Sequence, residues 1–124
     1  MTQEDKKLLL KDLCARLLYK VKVQPSGSVS PHKFMGYDKG LVRIDTDQRF
    51  KLENIKPYLR PMSSMTEEEA MEYLGMLNDI DKSGLMNQNF ITKVVDWLDK
   101  KMFDHRGLIP KGLALEATEG TYNN

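Results

Sequence analysis

A disulfide within one molecule is closed to this chain, because it holds a single cysteine, Cys14. One cysteine also fits a reducing compartment. Imidazole is scarce: His32 and His105 are the only histidines, and neither an H-E-x-x-H helix nor a pair of cysteines is present to build a zinc site. No apolar run approaches the roughly 20 residues that cross a bilayer. Leu8-Leu9-Leu10, hemmed in by Lys7 and Lys11, is too short for a signal core. There is no G-x-S-x-G, no P-loop and no dinucleotide fingerprint. These absences predict a cytoplasmic protein without membrane contact, not an enzyme, with no cofactor and no metal.

At 124 residues with 40% apolar and 30% charged residues, the chain is long enough for a core that needs no metal or disulfide support. Its net charge of +1 conceals an asymmetry. Residues 1–61 hold nine Lys and four Arg against seven acids, while residues 62–124 hold six basic residues against eleven acids. A basic front and an acidic back suit a polyanion-facing surface, or simply two halves that attract each other.

Thr2-Gln3-Glu4-Asp5 has the form of a capping box, with Asp in place of Glu. Behind it Leu10, Leu13, Cys14, Leu17 and Leu18 recur at helical spacing and predict a helix over 3–18 with Cys14 in its buried stripe. Tyr19, Val21 and Val23 alternate with polar residues as in a half-buried strand. Residues 25–31 form a loop by their Pro, Ser and Gly content. Residues 34–37 and 41–45 flank Asp38-Lys39-Gly40, a three-residue hairpin, and 49–52 alternate again. Ile55 to Pro61 contains two prolines, which argues for an irregular strap. Thr66-Glu67-Glu68-Glu69 is a second capping box, opening a helix with Met71, Leu74, Leu77 and Ile80 as its stripe. A third helix covers about 90–103 through Ile91, Val94, Leu98 and Met102. Leu113 and Leu115 dock as a short strand or strap. The predicted architecture is a single α+β domain over 1–117: an N-terminal helix, a small antiparallel sheet of three or four strands, and two C-terminal helices on one sheet face. Residues 118–124 form a flexible C-terminal tail.

Asp79 to Asn87 matches the first nine positions of a calcium loop, but position 12, where a bidentate Glu clamps the ion, is Phe90. An interhelical turn is the better reading. His105, at a helix end, suits the dipole there. Alternation in the strands places Lys20, Lys22, Arg43, Arg49 and Lys51 together on the face opposite the core, a possible polyanion-binding set. That phase leaves no outward aromatic for base stacking. Trp97 lies at the edge of its helical stripe, as a core lid or an interface anchor. Six of the eight Met fall in the acidic half, where they fill core gaps or make an adaptable binding surface.

Three stretches carry a resemblance: Lys11-Asp12-Leu13-Cys14-Ala15-Arg16-Leu17-Leu18-Tyr19, Ile55 through Glu69, and Asp96-Trp97-Leu98 through His105-Arg106-Gly107-Leu108-Ile109 to Ala117. Together they resemble a family of short uncharacterised proteins from gut-bacterial genomes and prophage-like regions. Members of that family often carry Gly where this chain has Lys20. The resemblance implies a bacterial or phage accessory protein and no mechanism. The expected function is a non-catalytic protein-interaction module with an unknown protein partner. The alternative is a nucleic-acid-associated accessory protein that uses the basic sheet face.

Overall fold

The computed structural model describes residues 1–82, 88–118 and 120–122, the side chains of 79–82 and 88–90 excepted. The chain opens with helix α1 (Gln3–Ala15), capped as expected: the Asp5 N–H donates to Thr2 Oγ1 at 3.0 Å while Asp5 Oδ2 accepts from the Thr2 N–H. A 3₁₀ turn at Leu17–Tyr19 leads through Lys20, at φ 56° and ψ 54°, into strand β1 (Lys22–Pro25). Lys20 thus occupies the left-handed region that glycine adopts without cost. β2 (His32–Asp38) and β3 (Leu41–Ile44) follow. Their hairpin closes through Lys39 and Gly40, both at positive φ, and Asp38 pairs with Leu41. The turn is therefore a two-residue one of type I′, not the expected three-residue loop. β4 (Arg49–Lys51) completes a meander.

The segment with two prolines is a strand, β5 (Ile55–Leu59), antiparallel to β1. The Ser26 N–H donates to the Asn54 carbonyl at 2.7 Å. In an antiparallel ladder bonded and non-bonded pairs alternate, so Val23 and Pro57 meet at a non-bonded pair, where Pro57 has no N–H to offer β1 and loses none. Helices α2 (Glu67–Lys82) and α3 (Gln88–Lys100) come next, and β6 (Leu115–Glu116) lies parallel to β5.

The sheet runs β4-β3-β2-β1-β5-β6. The α+β class stands, but the sheet is mixed and has six strands among the described residues, where three or four antiparallel ones were expected. The helices also sit differently. It is α1 that covers the sheet: Leu9 and Leu13 pack with Val21, Val23, Phe34, Val42, Ile44, Ile55 and Leu59, joined by Leu108, Leu113 and Ala114. α2 and α3 pair with each other over a second cluster of Val94, Leu98 and Phe103, edged by Met62, Met65, Tyr73, Met76 and Trp97.

Two predicted stripes are rotated. The buried side of α1 is Leu9, Asp12 and Leu13, continued by Arg16, whereas Cys14, Leu17 and Leu18 are exposed. The inward face of α2 carries Tyr73 and Met76, leaving Met71, Leu74 and Leu77 outside. Apolar periodicity missed both because the inward faces are partly polar.

The expected tail also has a fixed residue. The Tyr122 hydroxyl accepts from the Lys22 N–H at 2.8 Å and donates to the Tyr58 carbonyl at 2.7 Å. Burial pushes its own ionisation well above the usual tyrosine range.

Candidate functional site

Asp12 and Arg16 are one helical turn apart and both fully buried. Arg16 grips Asp12 with two bonds of 3.0 Å, from Nε and Nη2, and donates to the carbonyls of Phe103 at 2.7 Å and Asp99 at 3.3 Å. Those carbonyls belong to the end of α3, where the Phe103 N–H bonds back to Leu98 C=O around Met102 at φ 66°. Arg16 is thus a C-terminal cap of α3 supplied by α1, placing a cation on the negative helix end. Arg106 Nη1 bridges Asp12 at 2.7 Å and Asp99 at 2.8 Å, and His105 Nε2 meets Asp99 Oδ1 at 2.8 Å. Burial alone would raise the Asp99 carboxyl, but the hydrogen bonds from His105 and Arg106 and the charges of Arg106 and Arg16 hold it at about 2. Asp104 accepts from the Leu108 and Ile109 N–H groups and fixes the following turn. Among the described residues no buried side-chain polar atom lacks a partner. A network so saturated is a tie between elements, with no group left to meet a ligand.

Arg60 makes a second tie. Its guanidinium holds Glu69 through bonds of 2.8 and 2.7 Å and lies 4.2 Å from the Phe103 ring centroid. The hydrogen bond from Arg60 lowers the Glu69 carboxyl to about 2, even against partial burial. Thr66 closes the α2 capping box on the same carboxylate. Arg60, Ser64, Thr66, Thr118 and Tyr122 line a groove of about 480 Å³. Its one cation is spent on Glu69, so the groove has no free charge for an anion.

Of the five predicted polyanion ligands the structure brings three together, since Arg43 and Arg49 are cross-strand partners and Lys51 lies two residues along β4 from Arg49, while Lys20 and Lys22 stand apart from them. Lys20 precedes the sheet. Lys22 lies over Tyr122 and donates Nζ to the Thr121 carbonyl at 2.5 Å. Arg43 faces Asp47 at 3.7 Å and Arg49 faces Asp38 at 3.6 Å. Lys51 is exposed at the β4 edge, two residues from Arg49. Trp97 stacks with Tyr73 at 6.0 Å and with Phe103 at 5.8 Å between ring centroids, and its indole N–H donates to Glu72. The half-buried indole thus edges the second cluster.

One cluster had no sequence signature. Ser28 Oγ stands 3.5 Å from His32 Nε2, and His32 Nδ1 is 3.0 Å from Asp45 Oδ1. The atom order resembles a nucleophile relay. Yet Ser28 Oγ bonds within its own turn, to the Ser30 carbonyl at 3.2 Å and from the Ser30 N–H at 3.3 Å, so its proton is directed away from the imidazole. The hydrogen bond from the Lys33 N–H, with His32 adding to it, lowers the Asp45 carboxyl. This is a pinned β1–β2 loop.

The remaining surface feature is α2. Met71 is 74% exposed, Leu74 59% and Leu77 37%. They share the outer side of a helix whose first turn is Glu67-Glu68-Glu69, and no Lys or Arg occurs from Pro61 to Asn78. Scattered apolar residues on a surface are ordinary, but three on successive turns of one helix form a stripe. The calcium-like motif from Asp79 to Phe90 lies outside the described residues in its side chains. Elsewhere among the described residues no group of three His, Cys, Asp or Glu is placed to hold a metal, and no helix is long and apolar enough to cross a membrane. Comparison with known proteins brings no match among family models, curated proteins or solved structures.

Proposed function

We propose that this α+β protein is a non-catalytic protein-interaction module, an accessory protein of a bacterium or phage, and that the outer face of α2 is its contact surface. The observation that carries the reading is the exposed row Met71, Leu74 and Leu77 beneath an acidic first turn. An amphipathic helix with its apolar side outward is the usual form of a helix awaiting a partner groove or a partner helix. The surrounding carboxylates favour a partner of basic character. The buried charge networks support the same reading indirectly, since they spend the polar chemistry of the chain on rigidity.

The test is capture of binding proteins from a bacterial host extract on immobilised wild-type protein and on Met71→Glu/Leu74→Glu, followed by reconstitution with the purified partner. Loss of the reconstituted complex in the variant, with an unchanged melting temperature, is the expected outcome. Equal binding by the variant would place the contact elsewhere.

A further inference from the structure

The outer faces of α1 and α2 have the same spacing and opposite charge. On α1 the exposed positions Lys7, Lys11 and Cys14 lead to Leu18 on the 3₁₀ turn, at steps of four, three and four. On α2 the exposed positions Glu67, Met71, Leu74 and Asn78 follow the same steps. Steps of four, three and four keep each row on one side of its helix. Leu17 is 36% and Leu18 87% exposed, so the α1 face ends in an apolar patch as bare as the middle of α2. Lys6 is engaged by Glu53, but neither Lys7 nor Lys11 makes an ion pair among the described residues.

We propose that the occupant of the α2 face is a second copy of this chain, presenting its α1 face. This rests on the reading of α2 as the contact surface and names the partner. Laid parallel in that register, Lys7 of one copy faces Glu67 of the other, and Lys11 falls one turn on, beside Met71 and within side-chain reach of Glu67 and Glu68. Cys14 and Leu18 then meet Met71, Leu74 and Leu77. The charges fix polarity and register, and the apolar ends supply the burial. Two α1 faces or two α2 faces would set like charges together, which disfavours a contact between identical faces. Each copy offers one donor face and one acceptor face, so two copies close reciprocally as a twofold dimer, or further copies add in a ring or an open chain.

Complementation distinguishes this from every other arrangement. The wild-type protein is followed by sedimentation velocity from micromolar to several hundred micromolar at low and physiological salt. Association that rises with concentration and weakens with salt is expected. Met71→Glu/Leu74→Glu removes the acceptor face and Lys11→Glu/Leu18→Glu removes the donor face; each alone weakens association at least about tenfold. Mixed in equal amounts, they form a dimer and nothing larger, because each retains the face the other lacks. All four substituted side chains are exposed, and circular dichroism verifies that both variants fold. A wild-type protein that stays monomeric overturns the proposal, as does a Lys11→Glu/Leu18→Glu protein that associates unaided, or a folded mixture that stays monomeric. A monomeric wild type that still binds a foreign protein through Met71 and Leu74 overturns self-association and leaves the interaction-module reading standing.

Discussion

Tyr122 and Lys22, 100 residues apart, are joined by a hydrogen bond of 2.8 Å from the Lys22 N–H to the tyrosine hydroxyl. The β1–β5 register ends at Val23 opposite Pro57. At the next position, Lys22 opposite Tyr58, the hydroxyl stands where a direct ladder bond would fall, satisfying the Lys22 N–H and the Tyr58 carbonyl together. Tyr122→Phe keeps the ring and removes the bridge, leaving two backbone groups without a partner. The expected loss is about 1–3 kcal/mol of unfolding free energy, measured by urea titration. A loss below about 0.3 kcal/mol would mean that water replaces the hydroxyl freely.

Acid should unfold the protein through two carboxylates. Glu69 and Asp99 both sit at about 2 in the folded chain, below their values near 4 when unfolded. Their contribution is complete above about pH 5 and is lost as pH falls toward 2, because the unfolded chain takes up protons first. The urea midpoint should therefore be level from pH 8 to 5 and fall steeply below 4.5. In Glu69→Gln the proton uptake on unfolding between pH 4 and 2 should drop by about one. An unchanged acid limb would show that the Arg60 pair does not govern it.

Cys14 lies on the exposed side of α1, and partial burial raises its thiol above the ordinary value. In dilute native protein it should react fully with Ellman's reagent, at a rate a few-fold below that of the unfolded chain at pH 7, since less thiolate is present. Protection until denaturant is added would return Cys14 to the core.

With Lys22 tied to the C-terminal segment and Arg43 and Arg49 each facing an Asp, the sheet face should not hold nucleic acid. We expect no association with random duplex or single strands at physiological salt, by fluorescence anisotropy. Micromolar binding that falls with salt and disappears in Arg43→Ala/Lys51→Ala would restore the alternative function.

Much of the local structure was legible in the sequence. Both capping boxes, the meander and the inward set Val21, Val23, Val42 and Ile44 follow from spacing alone, because each depends on neighbours within a few residues. What escaped depends on distant partners. Asp12 and Arg16 lie outside the apolar stripe, and what buries them is the carbonyls at the end of α3 and the charge of Arg106. With that pair inward, the leucines that periodicity assigned to the core turn out. Ile55 to Leu59 reads as a strap because proline opposes pairing, and only the register with β1 reveals that Pro57 falls where no donor is needed. The candidate surface was visible as the residues Met71, Leu74 and Leu77, but with the opposite orientation.

The cap that α1 places on α3 also constrains the order of folding during synthesis. The pairings of β2 with β3 and of β3 with β4 join segments close in sequence, which favours their early formation. Arg16 instead waits for acceptors 83 and 87 residues further on. Until these emerge, Arg16 has Asp12 as a partner but lacks the two carbonyls that complete its burial. The last third of the chain thus completes a tie that the first helix opens, and the two ends of the fold are closed together.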